Sequence, residues 1–264
     1  MNSPKEISKL YADIGAKKTM ISIDRLIVLS IFAGMFIAMG AFGSQVVSAT
    51  VESASIAKML SSIVFPVGLI MVVLTGAELF TGNNLLIISY LEGKTKLKGV
   101  IYNLAIVYVF NFVGGVLIAL LLAFSGLFEG CDGELVDLVT RTTQAKVNLT
   151  FVEAFLRGIP CNMLVTLAIL LGFASKDVTG KILGLFLPTM LFVVSGFEHS
   201  VANMYFIFAG IFANLKCGVC LESVNARSIF INNLLPVTLG NIVGGMLIVG
   251  LGYWYAHRSE KIKS

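Results

Sequence analysis

Charge is what this sequence has least of. Only 13% of its 264 residues are Asp, Glu, Lys or Arg, about half the share of an ordinary soluble domain. With 57% hydrophobic residues and a mean hydropathy of +0.91, that scarcity excludes a water-soluble globular fold. Histidine is nearly absent, His199 and His257 being the two in the chain. Cysteine is sparse as well. The pair Cys217 and Cys220 has no second C-x-x-C and no nearby histidine, a weak zinc signal. With Cys131 it falls in predicted outer loops, where an oxidising exterior permits a disulfide, whereas Cys161 lies within a span. No Gly-rich phosphate loop, dinucleotide motif or basic nucleic-acid patch is present. Glu198 and His199 have no accompanying nucleophile or metal-ligand set of the kind an intramembrane enzyme needs. The expectation is a protein that is not an enzyme, carries no cofactor and has no nucleic-acid partner.

What is abundant is apolar sequence in long runs. Six segments, near 26–49, 60–90, 100–125, 150–174, 182–213 and 231–256, match or exceed the length needed to cross a hydrocarbon core of about 30 Å. The first follows a polar stretch and lacks a small-residue cleavage site, so it reads as a retained span and not as a signal peptide. Basic residues concentrate on alternate sides. Lys5, Lys9, Lys17, Lys18, Arg25, Lys94, Lys96, Lys98, Lys176, Lys181, Arg258, Lys261 and Lys263 fall on one side, against Lys58, Arg141, Lys146, Lys216 and Arg227 on the other. That excess predicts both termini on the cytoplasmic side of an inner, plasma-type membrane. The loop over 126–149 carries Glu129, Asp132, Glu134 and Asp137, as an outer loop can.

The halves of the chain resemble each other. NLAIVYVFNFVGGVLI (Asn103 to Ile118) aligns without a gap to NLLPVTLGNIVGGMLI (Asn233 to Ile248), with two asparagines and a Gly-Gly pair in register at an offset of 130. The second and fifth segments share Gly-x-Glu, at Gly76-Ala77-Glu78 and Gly196-Phe197-Glu198. Three spans per repeat is an odd number, so the second copy enters from the opposite side. In inverted-repeat folds the solute path lies near the midplane, between interrupted helices. The expected architecture is therefore an all-α polytopic membrane protein of one domain, 1–264, with repeat one over about 20–125, an outer loop over about 126–149 and repeat two over about 150–256.

The second and fifth segments are the interrupted ones. Each is long for a simple crossing and is broken by polar, Gly-containing sequence, GAELFTGNN (Gly76 to Asn84) and SGFEHSVAN (Ser195 to Asn203). Irregular backbone at such depth is tolerated only beside protein or a water-filled cavity. Thr81, Gly82 and Asn83 are candidate caps for one restarted helix and Ser200 for the other. The restarted helices would point N–H groups and partial positive charge at an anion. Gly114-Gly115 and Gly244-Gly245 suit close helix packing.

His199, at the centre of a break, is the group whose charge changes most readily near neutral pH. Glu78 and Glu198 are read as braces that accept N–H bonds from the irregular backbone, since a carboxylate open to the path would repel an anion. Lys146 and Arg157 are candidate anion attractors, with snorkelling the alternative for Arg157 and a solvated surface charge for Lys146. Phe65, Leu69, Leu79, Phe80 and Phe192 are candidates for apolar constrictions.

These motifs resemble the formate/nitrite transporter family, which includes hydrosulfide channels. VLTGAELFTG (Val73 to Gly82) looks like its first signature. GIPCNMLVTLA (Gly158 to Ala168) looks like its second, with Thr166 where a cysteine is usual, and GFEHSVANM (Gly196 to Met204) is similar to a third hallmark. The resemblance implies an aquaporin-like fold without Asn-Pro-Ala motifs, assembled as a homopentamer in membrane lipid with one pore per protomer. It also implies Thr81 opposite His199, Leu69 and Leu79 at an inner constriction and Phe65 and Phe192 at an outer one. Lys146 would match the anion-attracting lysine and Asn162 the asparagine of the second signature. The expected function is passage of a small monovalent anion, formate first, then hydrosulfide or nitrite, with protonation by His199 letting a neutral acid cross. An aquaporin-type channel for neutral solutes is the more distant alternative.

Overall fold

The computed structural model describes residues 1–258; Lys261 and Lys263 of the basic count lie outside them. In chain order the helices are α1 (Pro4–Lys18), α2 (Ile23–Val46), α3 (Ala54–Thr75), α4 (Phe80–Asn83), α5 (Leu86–Leu91), α6 (Leu97–Phe124), α7 (Glu134–Val147), α8 (Phe151–Ala174), α9 (Val178–Val194), α10 (Ser200–Cys217) and α11 (Arg227–His257). Six of them, α2, α3, α6, α8, α10 and α11, are long and apolar enough to cross a membrane. The chain is an all-α polytopic membrane protein of six spans. Its second span is α3, a break and the short α4 and α5; its fifth is α9, a break and α10.

The polar N-terminal arm is itself a helix. Ser3 and Glu6 form a capping box at the start of α1, and Lys17 and Lys18 occupy its last turn, which suits the helix dipole. The predicted outer loop likewise holds α7, whose buried Leu135, Val139, Thr143 and Val147 recur at helical spacing and pack on α10. A capping box of Thr150 and Glu153 then starts α8.

Within each repeat the first and third spans approach closely. A Cβ on Gly114 would stand 2.1 Å from the Ile31 carbonyl oxygen, and one on Gly244 would stand 2.0 Å from that of Ile159. Backbone contact of that kind excludes any side chain, so α2 pairs with α6 as α8 pairs with α11. Both breaks open on a glycine in the left-handed region, Gly76 (φ 77) and Gly196 (φ 73), where a Cβ is penalised. The chain ends share one face. Asn2 N donates to the Ala174 carbonyl at 2.8 Å, and the Tyr253 hydroxyl donates to that of Pro4 at 3.2 Å. This face is called near below; the opposite face, carrying α7, is called far. Side chains such as Phe32, Val109, Leu121 and Leu187 leave the perimeter apolar, as a surface in hydrocarbon must be.

Candidate functional site

A break in a membrane span frees backbone N–H and C=O groups that have no water to bond. One asparagine from the third span of each repeat satisfies them. Asn111 donates to the carbonyls of Glu78 (2.9 Å) and Ser30 (2.7 Å) and accepts from Phe80 N at 2.9 Å. Asn241 donates to the carbonyls of Glu198 (2.9 Å) and Gly158 (2.8 Å) and accepts from Ser200 N at 2.9 Å. The backbone N–H of each break glutamate bonds a neighbouring span as well, Glu78 to Leu29 O and Glu198 to Arg157 O.

The glutamate side chains repeat the same symmetry. Glu78 takes Lys18 Nζ at 3.0 Å and Asn83 Nδ2 at 2.6 Å, and Asn83 Nδ2 also reaches Asn103 Oδ1 at 2.8 Å. Glu198 takes Lys146 Nζ at 2.7 Å and Asn203 Nδ2 at 2.7 Å, and Asn203 Nδ2 reaches Asn233 Oδ1 at 2.9 Å. The partners of the glutamate side chains are lysine and asparagine side chains, not the backbone N–H groups expected. The two clusters differ in one bond: Lys18 also donates to Asn83 Oδ1 at 2.9 Å, whereas Asn203 Oδ1 has no partner.

The position after each glutamate sets the halves apart, Leu79 in one and His199 in the other. His199, not Ser200, caps α10: its Nδ1 accepts from Ala202 N at 3.1 Å. A neutral imidazole has one donor and one acceptor nitrogen, so Nε2 carries the proton and donates it to Thr81 Oγ1 at 2.9 Å. The other break has no side-chain cap; Leu79 stands at the N-cap of α4.

Two separate cavities approach this hydrogen bond from opposite faces. The far cavity, about 270 Å³, is lined by Phe65, Lys146, Phe192, His199, Asn203 and Phe206 among others. The near one, about 180 Å³, is lined by Tyr11, Lys18, Leu69, Glu78, Leu79 and Asn83 among others. Phe65 and Phe192 meet edge to face with ring centroids 5.6 Å apart, and Phe192 stacks on the His199 ring at 5.8 Å. Leu69 and Leu79 are each 2% exposed and line the near cavity. Thr81 is fully buried, next to Gly82 of the near wall. The pair Thr81–His199 thus stands between the cavities.

Two site residues read from the sequence lie elsewhere. Phe80 lines neither cavity: its ring packs on Tyr108 at 4.9 Å, because the turn of α4 points it away from the path. Asn162 lines neither cavity; its Nδ2 donates to the Asn241 carbonyl at 2.7 Å, between α8 and α11. Lys146 is not a solvated surface charge but part of the Glu198 cluster. Arg157 pairs at the surface with Glu153 at 3.7 Å. All four cysteines are free thiols. The sequence offers Asn83 as a helix cap and Lys18 as one basic residue of the arm, and gives Asn203 no role; their place beside the glutamates is not read from it. Lys18 precedes Lys146 by 128 positions, a repeat match hidden by a two-residue shift from the offset of the third spans.

Fold and site together define a helical membrane channel built on inverted repeats, with the broken second and fifth spans facing each other across a closed path. Comparison with known proteins places it more closely: residues 5–255 match the family model described as formate/nitrite transporter, and the chain belongs to that family. It is 40% identical to a probable formate transporter of Methanothermobacter thermautotrophicus, over 98% of each chain. It is 34% identical to the formate channel FocA of Escherichia coli strain K12, over 97% of this chain and 95% of that one. A solved pentameric formate channel with formate bound matches at TM-score 0.79 and 33% identity, over 90% of this chain and 98% of that one. An FNT family ion channel matches at TM-score 0.85 and 28% identity, over 95% and 98%.

Proposed function

We propose that this chain is a formate channel, a homopentamer of the inner membrane with both termini cytoplasmic and one path per protomer. Two relatives that share a third or more of its residues over nearly its whole length are named for formate, which favours formate over nitrite and hydrosulfide. The near face carries Lys5, Lys9, Lys94, Lys96, Lys98 and Lys176, the basic excess of a cytoplasmic side.

The observation that carries the mechanism is the His199 Nε2–H donated to Thr81 between the two cavities. An ionised carboxylate loses its hydration at the Phe65–Phe192 constriction, at a cost far above that of a neutral acid. Lys146 draws the anion into the far cavity, and the His199 N–H receives it there. A protonated ring carries hydrogen on both nitrogens, so protonation releases the cap on Ala202. The imidazolium then gives its Nε2 proton to formate, and neutral formic acid crosses Leu69 and Leu79 to ionise on the near side. Purified protein in liposomes tests this. His199→Phe is expected to slow formate flux and flatten its dependence on pH; an unchanged pH profile refutes the proton step.

A further inference from the structure

The far cavity has polar wall residues that the mechanism above does not use, Gln45 and Lys58 among them. Among the described residues Lys58 and the Glu198-paired Lys146 line it and no Asp or Glu does; the near cavity has Glu78 beside Lys18. Lys58 forms no ion pair among the described residues. Gln45, near the end of α2, belongs to the same wall and is 4% exposed. Its Oε1 accepts from the buried Tyr205 hydroxyl at 3.1 Å. With Oε1 engaged there, Nε2 is a buried donor with no partner. Leaving such a donor unpaired costs about 1–3 kcal/mol, and an acceptor brought in by the solute removes that cost. An anion gains most, because hydrogen bonds to charged groups are the stronger ones.

We propose that Gln45 Nε2 forms an oxyanion subsite in the far cavity, held in orientation by Tyr205, which takes a carboxylate oxygen before the solute reaches His199. The subsite rests on the anion-channel reading above and adds to it a preference for solutes with oxygen acceptors. A thiolate such as hydrosulfide, whose sulfur is a weak acceptor, gains little from it.

Formate flux into proteoliposomes, measured against formate concentration, is the test. Gln45→Met keeps the shape and removes the donor; the half-saturating concentration is expected to rise about tenfold with maximal flux nearly unchanged. Gln45→Glu, isosteric but repelling, is expected to raise it further. Tyr205→Phe frees the amide to rotate and gives a smaller rise of the same kind. Half-saturation at the wild-type value in both Gln45 variants overturns the proposal. So does a fall in maximal flux alone, which marks a purely structural residue. Wild-type vesicles that carry no formate overturn the channel reading itself, and the subsite with it, before any variant is compared.

Discussion

Replacing Asn241 by leucine removes three buried hydrogen bonds, to Gly158 O, Glu198 O and Ser200 N. All three partners are backbone groups, two of them in the break and one in α8, with no water to replace the amide. At about 1 kcal/mol each the loss is about 3 kcal/mol; at the smaller interhelical values measured in membranes it is about 2 kcal/mol. For a chain of this size that lowers the thermal midpoint by roughly 4–12 °C. Asn111→Leu strips the equivalent groups from the other break, so the two variants lose similar stability. They differ in transport. Asn241 holds the backbone around His199, and its loss displaces the ring relative to Thr81; Asn111 holds the backbone around Leu79, whose position an apolar contact restores. Thermal unfolding of purified protein, read beside formate flux in liposomes, separates the two effects. The expected pattern is matched destabilisation, with Asn241→Leu alone losing most of the pH dependence of flux. Two variants with equal transport defects, or either one with a wild-type midpoint, refute the reasoning.

Two further outcomes follow from the same geometry. Lys146→Met strands Glu198, whose side chain is 5% exposed, and is expected to cost about 3–5 kcal/mol of stability; adding Glu198→Gln restores most of it in the same melting assay, and a double variant no better than the single one counts against the buried pair. Phe65→Ala opens the ring contact with Phe192 and is expected to raise acetate flux relative to formate severalfold; an unchanged ratio in liposomes shows that the constriction lies elsewhere.

The sequence disclosed the architecture because a duplication leaves traces that polar residues cannot hide in apolar surroundings. Asn103 and Asn111 match Asn233 and Asn241 in register, and each pair binds the break of its own repeat. His199 was legible for the same reason, a titratable group in a broken span. Lys18 was not, because a lysine in a basic arm looks like any other and its reach to Glu78 depends on how α1 folds back. Phe80 and Asn162 were misplaced because membership of a motif does not say which way a side chain turns. The helices α1 and α7 were missed because amphipathic surface helices in polar segments lack the long apolar run that announces a span. The role of His199 as a helix cap needed coordinates, since it depends on which ring nitrogen faces Ala202.

The His199–Thr81 bond and the Phe65–Phe192 ring contact are each made within one chain. In the proposed pentamer the five paths are then parallel conductors with no shared gate. Assemblies mixed from intact and inactive subunits should carry flux in direct proportion to their intact fraction. A defective copy would dilute transport without poisoning its neighbours, and saturation curves would show no cooperativity. Five subunits on these terms multiply capacity and do not create a switch.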